Sequence, residues 1–395
     1  EYGVYVSLNQ GDAWHKFSNG MPTISVRDLA IQKRENDLVA ATFGRSFYIL
    51  DDYSPLRAIS EENLAKGDQL FPIEKALQYV QERGGTSSQG ASFYTAKNPT
   101  YGAQFTYYIS DDAKTMKAVR TTSEKKLKKD KKDIPFPGWE ALDAEDFEKK
   151  PQAILRVTDP SGKVLMEISG AYTKGIHRKH WDLRERLASA LDIYSSRDSG
   201  TGLRSDVAPG TYYVQLFKKH NGALLQLTEK EAFEVARLRQ NVLTNPKAAS
   251  HNAYKPKLNA LYVKSEIMDK KLEKTKKKIA ALSKAIGFAQ ANQDVLHKTV
   301  YDLQKQQYDL ERKIDGSDAK GEVGEKDTPT LSFRISVASR GFYSNTYGPT
   351  AMHMESYDMA LALLSELAPQ VDALAAATAK AISDSEALGL PVIID

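Results

Sequence analysis

From Tyr2 onward, apolar and polar residues alternate in short runs. Tyr2, Val4 and Val6 are spaced as a half-buried strand requires, and Val26 to Ile31, Leu38 to Thr42 and Ser46 to Leu50 read as three more strands. Gly, Asn and Pro turns separate them, so residues 1–57 are predicted to hold four short strands, the content of one β-propeller blade. A blade buries its faces against its neighbours, and the chain opens Glu1-Tyr2-Gly3 already in strand pattern. The expectation is therefore a terminal blade whose neighbours lie elsewhere in a longer polypeptide.

Residues 58–100 read as a connector crossing the surface of another domain, with Leu70-Phe71-Pro72-Ile73 and a Gly/Ser-rich run from Gly84 to Gly90. Strand patterning returns over 101–240, at Gln104 to Ile109, Ala153 to Val157, Lys163 to Ile168, His177 to Trp181, Ala208 to Leu216 and Ala232 to Val235. Roughly seven such strands with turns such as Asp159-Pro160-Ser161-Gly162 predict an immunoglobulin-like sandwich. Residues 113–150 interrupt it with a charged, Lys-rich insertion, expected as a long loop or partly disordered excursion. Beyond Asn245-Pro246 the period changes. Leu258, Leu261, Ile267, Leu272, Ile279, Leu282 and Ile286, then Val295 to Ile314, then Tyr357 to Ile382 predict three long helices packed as an antiparallel bundle over 250–390. The fold class expected is thus multidomain, mostly β and then α.

Composition narrows the functional classes. The 395 residues carry a net charge of +4 and no cysteine, which excludes disulfides, Cys-ligated zinc and a thiol nucleophile. No uninterrupted apolar run of membrane-spanning length occurs. Basic residues gather at Lys125 to Lys132 and Lys270 to Lys278 with acidic residues interspersed, so both read as solvated faces and no nucleic-acid partner is expected.

Ser7-x-Asn9-x-Gly11-x-x-Trp14 resembles the Asp-box of BNR-repeat propellers, with Asn9 where the family carries Asp. The continuation through Val26-Arg27-Asp28-Leu29, Thr42-Phe43-Gly44-Arg45-Ser46 and Ile49-Leu50-Asp51-Asp52 is similar to the closing blade of sortilin-like, BNR-repeat "glycosyl hydrolase" proteins of Bacteroidota, with Phe43 where that family often has His. Asn98-Pro99-x-Tyr101-Gly102-Ala103, Gly175-x-His177-x-x-x-Trp181-Asp182-Leu183-Arg184 and Pro209-Gly210-Thr211-Tyr212 extend the likeness, the last two resembling the Ig-like domain of the flagellar hook-capping type. The resemblance implies an exported protein, periplasmic, at the cell surface or secreted. In it Ser7, Asn9, Gly11 and Trp14 pin a hairpin turn, with Trp14 wedged between strands.

Candidate chemistry is sparse. Arg45 is a candidate ligand contact, since arginines on propeller strands hold carboxylates by bidentate hydrogen bonds. Asp51 and Asp52 are neighbours that a strand would point to opposite faces, poor geometry for an acid/base pair. His177 and His180 face opposite sides of a strand by the same argument, and His251, His297 and His353 lie scattered, so neither a metal nor a cofactor is expected. Phe342, Tyr343 and Tyr347 sit in a turn-rich segment between helices and are candidates for partner or sugar contact. The functional expectation is a non-catalytic C-terminal region of a propeller protein that closes the propeller, displays it, and binds glycan or outer-membrane partners. Two alternatives stay open: a glycoside hydrolase with its active site in upstream blades, and a sortilin-like peptide binder in a surface assembly or secretion complex.

Overall fold

The computed structural model describes residues 2–18, 20–79, 96–187, 190, 204–239, 248–288, 293–343 and 348–393. The chain divides into two compact units, one of residues 1–185 with 206–240, the other of 186–205 with 241–395.

The first unit begins with a hairpin, β1 (Val4–Val6) against β2 (His15–Phe17). A meander follows: β3 (Val26–Gln32), β4 (Asp37–Thr42) and β5 (Phe47–Leu50), with β4 central. The expected four-stranded sheet is therefore split into two sheets and has five strands. Gly20 at φ +74° and the donorless Pro22 carry the chain out of β2 without a ladder into β3.

The connector departs from expectation. After a short helix, α1 (Glu61–Leu64), it contributes β6 (Gln69–Leu70) and β7 (Ala76–Gln78) to the two sheets that follow. Phe71, between them, is almost fully buried, and its N–H donates to the Thr106 carbonyl at 3.0 Å. Apolar side chains at Leu70, Phe71 and Ile73 are what anchor it. The Gly/Ser-rich run lies outside the described residues.

Next come β8 (Ala103–Ile109), helices α2 (Met116–Lys129) and α3 (Trp139–Phe147), and strands β9 (Gln152–Thr158), β10 (Val164–Ala171), β11 (Gly175–Trp181) and β12 (Arg184–Arg186). The series ends with β13 (Arg204–Asp206), β14 (Gly210–His220), β15 (Ala223–Gln226) and β16 (Glu231–Arg237). One sheet runs β10-β9-β14-β16-β7 with β15 on the free stretch of β14, and a smaller one runs β11-β8-β6. In these two sheets, among the described residues, only β7 pairs in parallel, with β16. Both sheets feed one core: Phe105, Tyr107 and Ile109 of β8 and Trp181 of β11 meet Leu155, Val214, Leu216 and Phe233 of the larger sheet. The insertion is not a loop. Lys- and Glu-rich segments favour helix, and Pro135, Pro137 and Gly138 at φ +90° break them into α2 and α3.

The second unit is helical: α4 (Ala248–Ala285), α5 (Gln293–Ile314), the short α6 (Asp318–Glu322), α7 (Leu331–Tyr343) and α8 (Ala351–Ala387). Cross-contacts fix directions. Tyr254 meets Tyr357, and Lys271 pairs with Asp372, so α4 and α8 run parallel. Lys276 pairs with Glu311, Ser332 donates to Asp315, and Tyr254 reaches the Ala338 carbonyl, so α5 and then α7 descend antiparallel to both. The expected antiparallel bundle of three helices is thus corrected: two long parallel helices face a third column made of two helices in tandem. The α7 segment escaped notice because its apolar stripe, Leu331, Ile335 and Ala338, is only two turns long. Helix α8 is long and apolar enough to cross a membrane by length and composition, while Leu364, Leu367, Val371 and Leu374 sit in the bundle core.

Candidate functional site

The β1–β2 turn is held by side chains. Ser7 Oγ accepts from the Gly11 N–H at 2.7 Å and donates to Asn9 Oδ1 at 3.1 Å, and Asn9 Oδ1 accepts the Ala13 N–H at 2.9 Å. A carboxylate or an amide oxygen serves that acceptor position equally. Gln10 at φ 59° and Gly11 at φ +106° supply the left-handed backbone of the turn. Trp14, expected between strands, is instead 63% exposed, because a two-stranded sheet has no further strand to close over the ring.

Arg45 occupies the tip of the tight turn from β4 to β5, closed by the Thr42 N–H and hydroxyl on the Ser46 carbonyl. It is exposed and makes no ion pair or side-chain hydrogen bond among the described residues. What its turn positions is the sheet below. Paired residues share a face, so the register places Leu29, Ala40 and Tyr48 on one side with Ile31, Leu38 and Leu50, and Ala30, Val39 and Ile49 on the other with Ala41 and Phe47. Both faces are apolar. Phe47 is 67% and Ile49 58% exposed on one face, and Leu29 and Ile31 are about half exposed on the other. The signal was present in the sequence: Leu38-Val39-Ala40-Ala41 and Phe47-Tyr48-Ile49-Leu50 do not alternate, the mark of strands covered on both sides.

The far end of this sheet meets the β8–β11 sheet in a polar joint. Asp51 and Asp52 lie just past β5 in a turn, not on a strand, since Asp52 adopts φ 44° with its N–H on Asp37 Oδ1 at 3.0 Å. Arg178 of β11 donates to the carbonyls of both residues, at 2.8 Å to Asp51. Asp52 Oδ1 takes the Ser54 N–H and hydroxyl, and its Oδ2 takes Gln104 Nε2 at 3.2 Å. That fixes the amide, so Gln104 Oε1 accepts from His180 Nε2–H at 3.0 Å. Burial, then the nearby Arg178, lowers the His180 pKa and keeps the ring neutral; burial, then Asp37, raises that of Asp51. Burial also raises Glu74, which accepts from Asn36. With both Asp52 oxygens engaged and Arg178 held on carbonyls, these groups fasten one sheet to another.

The other histidines are dispersed. His177 stacks on Tyr107 with ring centroids 5.2 Å apart, its Nε2 at 2.7 Å from the Thr173 carbonyl oxygen. His353 caps α8 through Thr350, His297 is exposed on α5, and the side chain of His251 lies outside the described residues. No group of three or more His, Asp or Glu that could hold a metal occurs among the described residues. Phe342 and Tyr343 belong to the last turn of α7 rather than to a turn between helices. Their side chains, and all of Tyr347, lie outside the described residues. A cleft of about 280 Å³ runs between α4 and α8, lined by Ile267, Met268, Leu361 and Leu364, with the Lys271–Asp372 pair at 2.5 Å beside it.

Comparison of the chain with protein-family models, with curated proteins and with solved structures gives no match in any of the three. The functional reading therefore rests on the geometry of the site together with the motifs of the sequence.

Proposed function

We propose that the β3–β5 sheet is an inner layer of a larger stack of sheets, the terminal blade of a BNR/sortilin-like propeller, and that this chain is the non-catalytic C-terminal region of that exported protein. The observation that carries the reading is a sheet apolar on both faces that leaves large apolar side chains exposed on each, Phe47 and Ile49 on one side and Leu29 and Ile31 on the other. An ordinary surface sheet alternates apolar and polar; two apolar faces call for a layer on each side, about 10 Å away. The hairpin staple of Ser7, Asn9 and Gly11 supports the same reading, as it is the hydrogen bonding the Asp-box resemblance requires.

In this reading the two-sheet region is an Ig-like spacer. Its support is Trp181 at the centre of the core and Tyr212, whose hydroxyl donates to the Ala208 carbonyl at 2.6 Å in the manner of a tyrosine corner. The helical unit then offers surfaces for glycan or outer-membrane partners.

Hydrogen exchange tests the proposal. Amides of β3 and β5 are to be followed in the 395-residue chain and in the protein isolated whole from its source. Slower exchange over residues 26–50 in the native protein is expected, because covering sheets protect both edges and faces. Equal, fast exchange in both overturns the reading.

A further inference from the structure

The helical hairpin of α2 and α3 is fixed at its base and free at its tip. At the base Arg120 forms a bidentate pair with Glu145 at 2.7 and 2.8 Å and a second pair with Glu124, and the Met116 N–H donates to Glu148 Oε2 at 2.6 Å. The Glu148 carboxylate also meets His220 Nε2 at 3.1 Å, and the Lys149 N–H donates to Asn221 Oδ1, so the hairpin is tied to the β14–β15 turn. Neither helix buries a single residue. The hairpin is thus tied down at one end, with its far end exposed.

The composition of that far end is specific. Lys125, Lys126, Lys128, Lys129, Lys131 and Lys132 crowd the last turns of α2 and the loop after it, and none forms an ion pair among the described residues. Beside them the loop raises Ile134 and Phe136, and α3 opens with Trp139. Trp139 is 74% and Phe136 62% exposed, and the two rings meet edge to face at 5.2 Å. Glu124, Glu145 and Glu148 are engaged at the base, and at the tip Asp130, Asp133 and Glu140 only partly offset the six lysines, leaving it net positive.

We propose that this tip is a docking element for an anionic lipid surface. Lysines supply attraction to the headgroups, while an aromatic pair and an isoleucine supply the apolar wedge that enters the interface. Both features are needed at one place, and they meet at this tip. A nucleic acid fits less well, because Phe136 and Trp139 occupy each other rather than offering parallel platforms on which bases stack. The location agrees with a role at a cell surface but does not depend on the propeller reading.

Co-sedimentation of the full chain with vesicles tests this. Phosphatidylcholine containing about 30% phosphatidylserine is expected to capture the protein at least about tenfold better than phosphatidylcholine alone, with capture falling as salt rises. The quadruple variant Lys125→Gln, Lys126→Gln, Lys128→Gln, Lys129→Gln and, separately, Phe136→Ser with Trp139→Ser are each expected to abolish it. Since neither helix has a buried residue, circular dichroism of both variants is expected to match the parent. Brominated lipid is expected to quench tryptophan emission in the parent but not in Trp139→Phe, which still sediments. Equal capture by both vesicle types overturns the proposal. So does loss with the lysine variant alone, together with equal competition by duplex DNA, which identifies a general polyanion site.

Discussion

Glycine 102 shows how much one residue can fix. It sits at φ +117°, and a Cβ built on it meets the Trp181 carbonyl oxygen at 1.9 Å, so the start of β8 and the end of β11 approach through the missing side chain. Gly102→Ala combines a disfavoured backbone with a clash against main chain that cannot rotate away. A loss of about 3 kcal/mol or more in the β unit is expected, read as a lowered denaturation midpoint of Trp181 fluorescence. Asn9 is a milder case. Asn9→Ala removes the acceptor of the Ala13 N–H and of Ser7 Oγ on an exposed turn, a loss of about 1 kcal/mol, whereas Asn9→Asp keeps the acceptor and is expected to be near neutral. Hydrogen exchange at Gly11 and Ala13 separates the two. Both residues were legible as motif positions, but the reason for Gly102 was not: the clash lies across a strand pair nearly eighty residues apart in sequence. Trp14 was misplaced for the same cause, since nothing local reveals whether a further strand covers a ring.

At the scale of elements, alternation marked the main strands and helical spacing marked α4, α5 and α8, because each carries its own apolar period. Elements defined by partners were hidden. β6 and β7 are two and three residues long and exist by pairing with β8 and β16, and α2 and α3 carry no apolar face facing a core. The polar joint was equally hidden, since Asp52, Gln104 and Arg178 come together only in three dimensions.

The break between α5 and α7 makes a prediction of its own. Asp269 of α4 faces Asp315 at that break, accepts from Ser265 Oγ at 3.4 Å, and has Glu266 and Lys270 nearby; burial, reinforced by Asp315, raises its pKa from 3.8 to about 6. A raised folded-state value means the group stabilises the bundle fully below about pH 4, and that contribution is lost as pH rises through about 6. Asp269→Asn is expected to flatten this slope and to stabilise the helical unit at neutral pH by about 1–2 kcal/mol once solvent screening is allowed for. Urea titrations at pH 5 and at pH 8, followed at a helical wavelength, check it.

At the scale of the whole molecule, the two units carry different reporters. All three tryptophans, Trp14, Trp139 and Trp181, fall in the β unit, and only Trp181 is buried, so a change in tryptophan emission on denaturation reports the β core. Helical ellipticity is dominated by α4, α5, α7 and α8 of the other unit, with α2 and α3 a small remainder. Each unit has its own apolar cluster, one around Phe105 and Trp181 and one around Leu364 and Val371, and a chain with separate cores is not bound to melt in one step. Fluorescence and ellipticity midpoints are therefore expected to differ. Gly102→Ala is expected to move only the fluorescence curve, and Asp269→Asn only the ellipticity curve, beginning above about pH 4 and in full above about pH 6. If either substitution shifts both curves together, the cores unfold as one, and the helical unit acts as part of the β unit's foundation rather than as an appended surface for partners.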